Sequence, residues 1–495
     1  MNPQISRLAV AALVLVTALI LGTTYWQAWA APGLADRQDN AIKVVAQFTI
    51  KRGTIYGADG KTVLARNLRR RVSGQTFYFR RYPQGSLTAH AVGYSTRARS
   101  RTGLERSRND FLTGANANLA TIVDTALDRV RGSTIEGNDI VTTIRTRAQR
   151  VAMEGLAGQC GAAAAIEPST GKVLVLASSP SYDPNLVERN FAAIGRRAGP
   201  CPIAPLLDRA TSGLFIPGST FKVLTAAAAL DSGRFTPEST FVDPGYCIEY
   251  GKRVENYDTS SPFGRINFGQ ALQHSVNSAF CEMGKQLGPD LIVDYAKRFG
   301  FYEDPPIDLP AGERAPSGLY QDGTLLPQAE QSKVDPGRFA FGQERLLVTP
   351  LQMAMVAGAV ANDGIVMEPY LTDVVRAPDK TIVSTTEPDE LRRAIKSETA
   401  AELVSMMESV VSGGTGTAAQ ISGVRVGGKT GTAETGRAGR NTVWFVAFAG
   451  REKPEVAIAV VLQNQSGTGG TVAAPIAKQI MEALIRPASN SSSDG

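Results

Sequence analysis

The chain has 495 residues, too many for one ordinary domain, and this length predicts two or three folded units with at least one large core. Hydrophobic residues make up 43% and charged residues 20%, and glycine and proline are spread along the chain rather than gathered in repeats. This composition excludes collagen, coiled coil and bulk disorder. The formal net charge is +6, and the basic excess is confined to one segment at residues 66–108.

In chain order, the first element is the apolar run 8–22, which continues with aromatic residues to Trp29. A bilayer crossing needs roughly 20 residues. Arg7 precedes the run and the aromatic residues end it, as at a membrane interface. We predict a cytoplasmic tail at residues 1–7, a single transmembrane helix at residues 8–30 and an extracytoplasmic remainder. The alternative is a cleaved signal peptide, because Ala28-Trp29-Ala30 resembles a small-x-small cleavage site.

The next segment, residues 35–150, is polar and arginine-rich, with short strand-like runs at 44–50 and 76–79. We predict a separate, elongated N-terminal unit there. Eleven arginines and one acid, Glu105, lie within residues 66–108, so this segment alone carries +10. Such clustering indicates an anionic neighbour, either lipid head groups or a cell-wall polymer, although a solvated basic face is equally consistent with it. No nucleic acid partner is expected, because export removes the chain from nucleic acid.

From residue 151 onward the sequence has longer apolar strands and helices, which we assign to one domain at 151–487. A serine- and asparagine-rich tail at 488–495 is expected to be disordered. A final helix is predicted at 472–485. Apolar runs separated by turn residues predict strands at 162–167, 172–178, 424–434, 441–449 and 455–463. The predicted fold class is therefore α+β, with a central antiparallel sheet flanked by helices.

A Ser-x-x-Lys pattern at Ser219 and Lys222 opens an alanine-rich stretch that predicts a helix at 223–230. Residues three apart on a helix share a face, so the two side chains can meet. A lysine with a desolvated ammonium can remove the hydroxyl proton and make the serine a nucleophile. The pattern alone has low specificity, and it recurs at Ser169 and Lys172, but that copy lies in a predicted hairpin turn.

Two further patterns follow in the same domain. Ser275 and Asn277 form a Ser-x-Asn pattern at a helix connection, where a hydroxyl and an amide could complete a proton relay and hold a substrate amide. A turn or helix cap is the alternative role, since both residue types are favoured there. A second Ser-x-Asn, at Ser107 and Asn109, lies in the arginine-rich unit.

Lys429-Thr430-Gly431-Thr432 contains the only Lys-Thr-Gly of the sequence and lies on a predicted strand. An edge strand can pair with an extended peptide, and a glycine lets another backbone approach closely. The lysine and threonine side chains suit a substrate carboxylate, and an ordinary strand with a bulge is the alternative.

The order Ser-x-x-Lys, Ser-x-Asn, Lys-Thr-Gly within one domain is far more specific than any single motif, and it is the signature of penicillin-binding proteins and serine β-lactamases. A Ser-His-Asp triad is a weaker interpretation. The two histidines are His90, in the arginine-rich unit, and His274, which we expect to pack or to face solvent.

Four cysteines, at positions 160, 201, 247 and 281, belong to a chain that we expect to be exported, where disulfides can form. No CxxC pattern or Cys/His cluster suggests a metal. We predict a disulfide between Cys160 and Cys201, because both flank the start of the second domain. Free buried thiols are the alternative, and sequence alone allows three full pairings.

The resemblance to class B penicillin-binding proteins covers nearly the whole chain. Arg52-Gly53-Thr54-Ile55 and Gly103-Leu104-Glu105 resemble their N-terminal pedestal, of the dimerisation type. Ser181-Tyr182-Asp183-Pro184-Asn185 and Thr349-Pro350-Leu351-Gln352 resemble segments of their transpeptidase domain. In particular, the sequence is similar to the short actinobacterial enzymes of the penicillin-binding protein A type. One departure is Gly342-Gln343-Glu344, where many relatives have glycine at the third place.

The resemblance implies a peptidoglycan D,D-transpeptidase. A stem peptide ending in D-Ala-D-Ala would acylate the serine with loss of the terminal D-alanine, an amine of a neighbouring stem would then displace the enzyme, and β-lactams would acylate the same serine. The roles that it implies are nucleophile for Ser219, base for Lys222, relay and substrate holding for Ser275 and Asn277, substrate-carboxylate binding for Lys429, Thr430, Gly431 and Thr432, and a backbone oxyanion hole for Ser219 and Thr432. No cofactor and no metal are expected. The expected protein partner is a polytopic glycan polymerase of the division or elongation machinery.

Other functions of the same fold stay open. A D,D-carboxypeptidase or a membrane-bound β-lactamase is the nearest alternative, although a β-lactamase has no use for a long pedestal. A penicillin sensor would need several membrane spans, and the sequence offers one apolar span. A non-catalytic scaffold is disfavoured because all three motifs are intact. Glycan polymerisation by the chain itself is not expected, because the segment before residue 150 is too short for that domain and a pedestal.

Overall fold

A computed structural model describes residues 3–25, 48–97, 100–115, 135–195, 204–256, 261–326, 333–437 and 439–485. The predicted tail at 488–495 lies outside these residues. The chain starts with a helix, Pro3–Thr24 (α1), whose described apolar side chains are exposed. No helix among the described residues combines the length and the hydropathy needed to cross a membrane. The transmembrane segment stays a prediction.

The remaining helices follow in chain order. They are α2 (Ala89–Val92), α3 (Gly103–Ser107), α4 (Asn109–Thr113), α5 (Thr146–Gly155), α6 (Leu186–Arg189), α7 (Phe191–Gly195), α8 (Lys222–Asp231), α9 (Phe268–Gln273), α10 (Asn277–Leu287), α11 (Pro289–Arg298), α12 (Pro336–Ala340), α13 (Pro350–Ala361), α14 (Ser397–Gly413) and α15 (Ala474–Leu484). Single 3₁₀ turns occur at Gly85–Thr88, Gly218–Thr220, Ala311–Glu313 and Thr417–Ala419, and a π-helical turn occurs at Gly469–Ala473.

The strands are mostly short before residue 425 and long after it. They are β1 (Ile55–Tyr56), β2 (Val63–Val72), β3 (Gln75–Arg81), β4 (Asp139–Thr142), β5 (Cys160–Ile166), β6 (Val173–Ser179), β7 (Thr240–Asp243), β8 (Tyr246–Glu249), β9 (Lys252–Glu255), β10 (Gly264–Asn267), β11 (Gly318–Gln321), β12 (Thr324–Leu325), β13 (Leu346–Leu347), β14 (Ile365–Met367), β15 (Thr372–Arg376), β16 (Ile382–Thr385), β17 (Glu390–Arg393), β18 (Arg425–Arg437), β19 (Arg440–Gly450) and β20 (Val456–Gln465).

The central sheet has five strands in the order β18-β19-β20-β5-β6, all antiparallel. All five predicted strands are confirmed, with ends that differ by a few residues. Alternate residues of a strand face opposite sides of a sheet, and Ala162 and Ala164 accordingly join one core cluster while Ala163 and Ala165 join the other. Helix α13 packs in the first cluster, and α5 and α15 pack in the second. The predicted α+β fold with a central antiparallel sheet is therefore confirmed.

The N-terminal sheet has six strands in the order β16-β15-β4-β1-β2-β3, with β1 and β4 parallel. Two of its strands, β15 and β16, come from beyond residue 370. They join the sheet through β15, which pairs with β4 so that Val375 lies opposite Ile140. A strict division of the chain near residue 150 therefore does not describe the sheets. The predicted strand 76–79 lies within β3. Of the predicted strand 44–50, only residues 48–50 are described, and they form a turn.

The arginine-rich segment divides into an exposed part and a buried part. The β2–β3 hairpin, closed by Ser73 and Gly74 with positive φ, exposes the arginines at 69–71. Glu105, fully buried, instead accepts hydrogen bonds from Arg52 Nη2 at 2.9 Å and from Arg80 Nε at 2.6 Å. Burial would raise the pKa of the Glu105 carboxyl, but the two arginine charges hold it below its usual value. One arginine of the segment, Arg80, is therefore paired inside the fold with the single acid of the segment.

Candidate active site

The turn that carries Ser219 is a 3₁₀ turn, Gly218–Thr220, immediately before α8. The Thr220 hydroxyl donates to the Pro217 carbonyl at 2.9 Å, and the Trp444 indole donates to the Ile216 carbonyl at 2.9 Å. The first bond closes the turn on itself, and the second ties it to strand β19 of the central sheet. Ser219 itself is partly exposed. The predicted serine therefore lies at the start of a helix, in a turn that hydrogen bonds hold in place, and it is partly exposed to solvent.

Strand β18 lies directly against this turn and forms an edge of the five-stranded sheet. A Cβ atom on Gly431 would lie 2.9 Å from the Pro217 carbonyl oxygen and 2.9 Å from the Thr220 methyl carbon. Glycine is thus required here by the close approach of another backbone. The Lys-Thr-Gly segment lies on a strand, as predicted, and among the described residues that strand is at an edge of the sheet, the position at which an extended peptide can pair.

Lys222 is fully buried and donates two short hydrogen bonds, to Asn277 Oδ1 at 2.7 Å and to the Ser275 carbonyl at 2.8 Å. Its Nζ also lies 3.4 Å from the Ser275 hydroxyl. Burial, and then the charge of Lys429, hold the pKa of Lys222 well below its usual range. A lowered pKa favours the neutral amine, which is the form that can accept a proton. The Lys222 amine thus contacts both residues of the Ser-x-Asn motif, which brings the Ser-x-x-Lys and Ser-x-Asn motifs together.

Ser275 lies between α9 and α10 with φ of +61°, a left-handed conformation that non-glycine residues rarely adopt. This conformation directs its carbonyl toward Lys222. Asn277 begins α10, but its side chain does not cap the helix. It donates instead to the Glu255 carbonyl at 2.8 Å while accepting from Lys222. The alternative role of a simple helix cap therefore does not fit Asn277.

Asn277 is held by residues that the sequence patterns missed. Asn256 Oδ1 accepts from the Asn277 backbone amide at 2.9 Å, and Asn256 Nδ2 donates to Asp243 at 2.8 Å. Asp243 also accepts from the Ser278 hydroxyl at 2.6 Å. Burial raises the pKa of Asp243, but these and two backbone hydrogen bonds lower it below its usual value. Residues so distant in sequence give no pattern from which their contact could be predicted.

Lys429 is fully buried on β18 and donates to the Thr430 carbonyl at 3.1 Å. Burial lowers the pKa of Lys429 to about 7. The Thr430 hydroxyl lies 2.6 Å from the Thr415 hydroxyl, and the Gly469 amide donates to the Thr432 hydroxyl at 3.2 Å. Thr415 and Gly469 are further site neighbours without a sequence signal.

The other motif copies have structural roles away from this cluster. Lys172 forms an ion pair with Asp373 at 3.0 Å, and the Ser107 hydroxyl donates to the Asp308 carbonyl at 2.7 Å. His274 stacks on Phe263 with ring centroids 5.0 Å apart, as expected for a packing residue. His90 is buried, with Nε2 2.9 Å from the Pro205 carbonyl.

The cysteines fall into two groups. Cys160 is disulfide-bonded, whereas its predicted partner Cys201 lies outside the described residues. Cys247 and Cys281 have free thiols. Their sulfur atoms and a carboxylate oxygen of Glu249 all lie within 4.8 Å of one another, close enough to hold a cation. The sequence, which offers no CxxC pattern, does not reveal this cluster because its members come from a strand and a distant helix.

Comparison with known proteins places this site in a family. Residues 161–482 match the penicillin binding protein transpeptidase domain, and residues 52–140 match the penicillin binding protein A dimerisation domain. The Peptidoglycan D,D-transpeptidase PbpA of Mycolicibacterium smegmatis is 35% identical over 99% of this chain and 100% of its own length. PbpA of Mycobacterium tuberculosis is 34% identical over 98% of this chain and 99% of its own.

Solved structures agree with this result. The crystal structure of PBPA from M. tuberculosis superimposes with a TM-score of 0.77 at 32% identity, covering 88% of this chain and 100% of that one. The penicillin G acyl-enzyme complex of penicillin-binding protein A from M. tuberculosis gives a TM-score of 0.76 at 34% identity, covering 88% of this chain and 99% of that one. The chain belongs to the penicillin-binding protein family, with a transpeptidase domain and an N-terminal dimerisation domain.

Proposed function

We propose that this protein is a peptidoglycan D,D-transpeptidase that cross-links stem peptides through a Ser219 acyl-enzyme and is inhibited covalently by β-lactams. The observation that supports this most is the buried amine of Lys222, one helical turn from Ser219 and bonded to both Ser275 and Asn277. The relatives named as peptidoglycan D,D-transpeptidases, and a relative captured as a penicillin G acyl-enzyme, support the same chemistry.

In the acylation step, the Ser219 oxygen bonds to the carbonyl carbon of the penultimate D-alanine while Lys222 takes the hydroxyl proton. The carbon–nitrogen bond to the terminal D-alanine breaks, and the proton passes to the leaving amine, with Ser275 within reach of Lys222 as the relay. An acceptor amine from a second stem peptide then attacks the ester and releases Ser219.

The remaining motif residues bind the donor peptide. We assign the substrate carboxylate to Lys429 and Thr430, with Gly431 and Thr432 lining the peptide, and the developing oxyanion to the backbone amides of Ser219 and Thr432. One such amide donor is commonly worth about 3 kcal/mol in the transition state. This chemistry uses side chains and backbone amides of the chain itself.

The nucleophile is tested with fluorescent penicillin. Ser219→Ala should lose all covalent label, whereas Ser169→Ala, the exposed serine of the second Ser-x-x-Lys pattern, should label like the wild type. Peptide mass spectrometry should place the adduct on Ser219. Label retained by Ser219→Ala would contradict the assignment.

The reaction type is tested with a stem-peptide donor and an amine acceptor. A transpeptidase should form the cross-linked peptide, and its penicilloyl-enzyme should persist for many minutes. Release of free D-alanine without cross-linked product would indicate a D,D-carboxypeptidase, and rapid turnover of penicillin would indicate a β-lactamase.

We further propose a single-pass anchor at residues 8–30, with the catalytic domain outside the membrane and a polytopic glycan polymerase as partner. The anchor is supported by the exposed apolar side chains of α1, such as Leu13 at 67% and Leu15 at 70% exposure. The full chain should stay with membranes after a salt wash, and a chain lacking residues 1–30 should not. An N-terminus found after Ala30 in the membrane-free fraction would instead show a cleaved signal peptide, and co-purification from detergent tests the polymerase.

The domain boundaries near residue 150 and the Cys160–Cys201 disulfide also stay proposals. With Cys247 and Cys281 free and Cys160 bonded, Cys201 is the remaining cysteine of the sequence. Non-reducing peptide mapping should recover the 160–201 pair, and two free thiols there would refute it.

A further inference from the structure

Strand β8 and helix α10 bring two free thiols and a carboxylate together beside the site. Cys247 and Glu249 are two residues apart on β8, so they lie on the same side of the strand. Cys281 reaches them from α10, and its thiol donates a hydrogen bond to Glu249 Oε1 at 2.8 Å. The two sulfur atoms lie within 4.8 Å of each other.

The two thiols differ in access. Cys281 has 0% exposure, whereas Cys247 is half-buried. Lys285 Nζ lies 2.7 Å from the Glu249 oxygen that accepts from Cys281 and thus places positive charge beside the pair. An oxidant from solution can therefore reach Cys247 but not Cys281.

We propose that Cys247 and Cys281 are a redox pair that closes to a disulfide, with Glu249 as the proton acceptor of the buried thiol. Cys247 loses its proton to solvent, and its thiolate attacks an organic disulfide, bonds to one of its sulfur atoms and releases the other half as a thiolate, which takes a proton from solvent. Cys281 gives its proton to Glu249, and its thiolate attacks the Cys247 sulfur and expels the second half. That thiolate takes the proton back from Glu249. One disulfide forms in the protein, and the oxidant is reduced to two thiols.

The Cys247–Cys281 disulfide would link the two elements that hold Asn277, namely helix α10 and the β8–β9 strand pair. Cys281 lies one helical turn after Asn277 on α10, and β8 pairs with β9, whose Glu255 carbonyl accepts from the Asn277 side chain. A disulfide between β8 and α10 therefore restrains the residue that receives the Lys222 hydrogen bond. Oxidation is expected to change the rigidity of the site, and it also removes the Cys247 charge, which raises the pKa of Lys222.

A cation is the competing occupant of this cluster. The Lys285 ammonium already contacts the Glu249 oxygen, and the Cys281 thiol donates its proton to that same oxygen. A metal ion at this point would have to displace both, because metal ligands of this type must be deprotonated. The observed contacts fit a protonated buried thiol beside its base.

The test equilibrates the purified chain in glutathione buffers and counts thiols under denaturing conditions. Two thiols should disappear together as the buffer becomes oxidising, non-reducing digestion should yield a peptide linked through Cys247 and Cys281, and oxidation should raise the Tm by about 5 °C through loop closure. Thiols that stay free in oxidised glutathione would overturn the proposal. So would one zinc ion per reduced chain that protects both thiols and is removed by chelator.

Variants test the order of events. Cys281→Ser should accumulate a mixed disulfide with glutathione on Cys247, whereas Cys247→Ser should stay unmodified at Cys281. Glu249→Gln should slow closure of the bond at least tenfold, and Glu282→Gln, at an exposed acid next to Cys281 on α10, should not. Equal closure rates for both glutamate variants would refute the role of Glu249. These readouts count thiols and bonds, so they do not depend on transpeptidase activity.

Discussion

Replacing Lys429 by methionine should change stability and activity in opposite directions. The lysine is fully buried and its amine bonds to the neutral Thr430 carbonyl. Burial lowers the pKa of Lys429 from 10.5 to about 7. The unfolded chain keeps the higher value, so it binds a proton between these two pH values and the folded state does not.

This difference in bound protons determines how the stability of the wild type changes with pH. Wild-type stability is lost as the pH falls from about 10.5 to about 7 and then stays constant, because below that pH both states are protonated. At about 1.4 kcal/mol for each pH unit, the full effect is on the order of 5 kcal/mol. Methionine binds no proton and has a similar volume. Lys429→Met should therefore be more stable than wild type at pH 6, by an amount that shrinks toward pH 10.

Acylation by penicillin should respond in the other direction. A charge-assisted hydrogen bond to the substrate carboxylate is worth about 1.5 to 3 kcal/mol, so its loss should slow acylation by about 10- to 150-fold. The charge of Lys429 also contributes to the lowered pKa of Lys222. Its removal raises the pKa of Lys222, and the acid side of the pH–rate profile should therefore move to higher pH.

Urea unfolding and penicillin acylation rates measured from about pH 5.5 to 9 test both effects. Lys453→Met, at an exposed lysine, is the matched control and should change neither. Near-normal acylation by Lys429→Met would refute the carboxylate role. A destabilisation that is equal at every pH would refute the argument from burial.

Three further substitutions test contacts outside the motifs. Glu105→Ala should lower the free energy of unfolding by about 3 to 5 kcal/mol, because it leaves two buried arginines unpaired, whereas Glu136→Ala, in an exposed ion pair, should lose less than about 1 kcal/mol. Gly342→Ala would place a methyl group 2.0 Å from the Gly218 carbonyl oxygen and should slow penicillin acylation by about 100-fold by displacing the serine turn. Glu344→Gly should raise the free energy of unfolding in urea by about 1 kcal/mol, because Glu344 has φ of +67°.

The local parts of the site could be predicted from sequence. The spacing of Ser219 and Lys222 and the start of α8 depend on neighbouring residues alone, and the strands of the central sheet are apolar runs long enough to recognise.

The long-range parts could not be predicted. The N-terminal sheet takes β15 from more than 200 residues beyond β4, and a five-residue strand gives no sign of its partner. Asp243 and Asn256 support Asn277 through single hydrogen bonds. Such contacts depend on how elements pack, and they leave no spacing in the sequence.

In Gly342-Gln343-Glu344 the third residue is glutamate, whereas many relatives have glycine there, and the backbone conformation explains that preference. Gly342 has φ of +79° and lies so close to the Gly218 carbonyl that a side chain does not fit. Glu344 also has a left-handed backbone, which explains why glycine suits the third place. Its carboxylate lies 3.8 Å from both Arg338 and Arg345, and these charges offset part of the strain.

The two buried lysines, Lys222 and Lys429, have the same kind of hydrogen-bond partner. The hydrogen-bond partners of Lys222 and Lys429 are neutral oxygens, namely the carbonyls of Ser275 and Thr430 and the amide of Asn277. A carboxylate partner would hold each amine protonated, because an opposite charge favours the charged form. Neutral partners let burial lower both pKa values, so Lys222 can act as a base and the charge of Lys429 becomes favourable when a substrate carboxylate arrives. Burial of these two amines without a carboxylate partner thus lowers the stability of the fold. It does so at the two positions where the proposed reaction needs a proton acceptor and an unpaired cation.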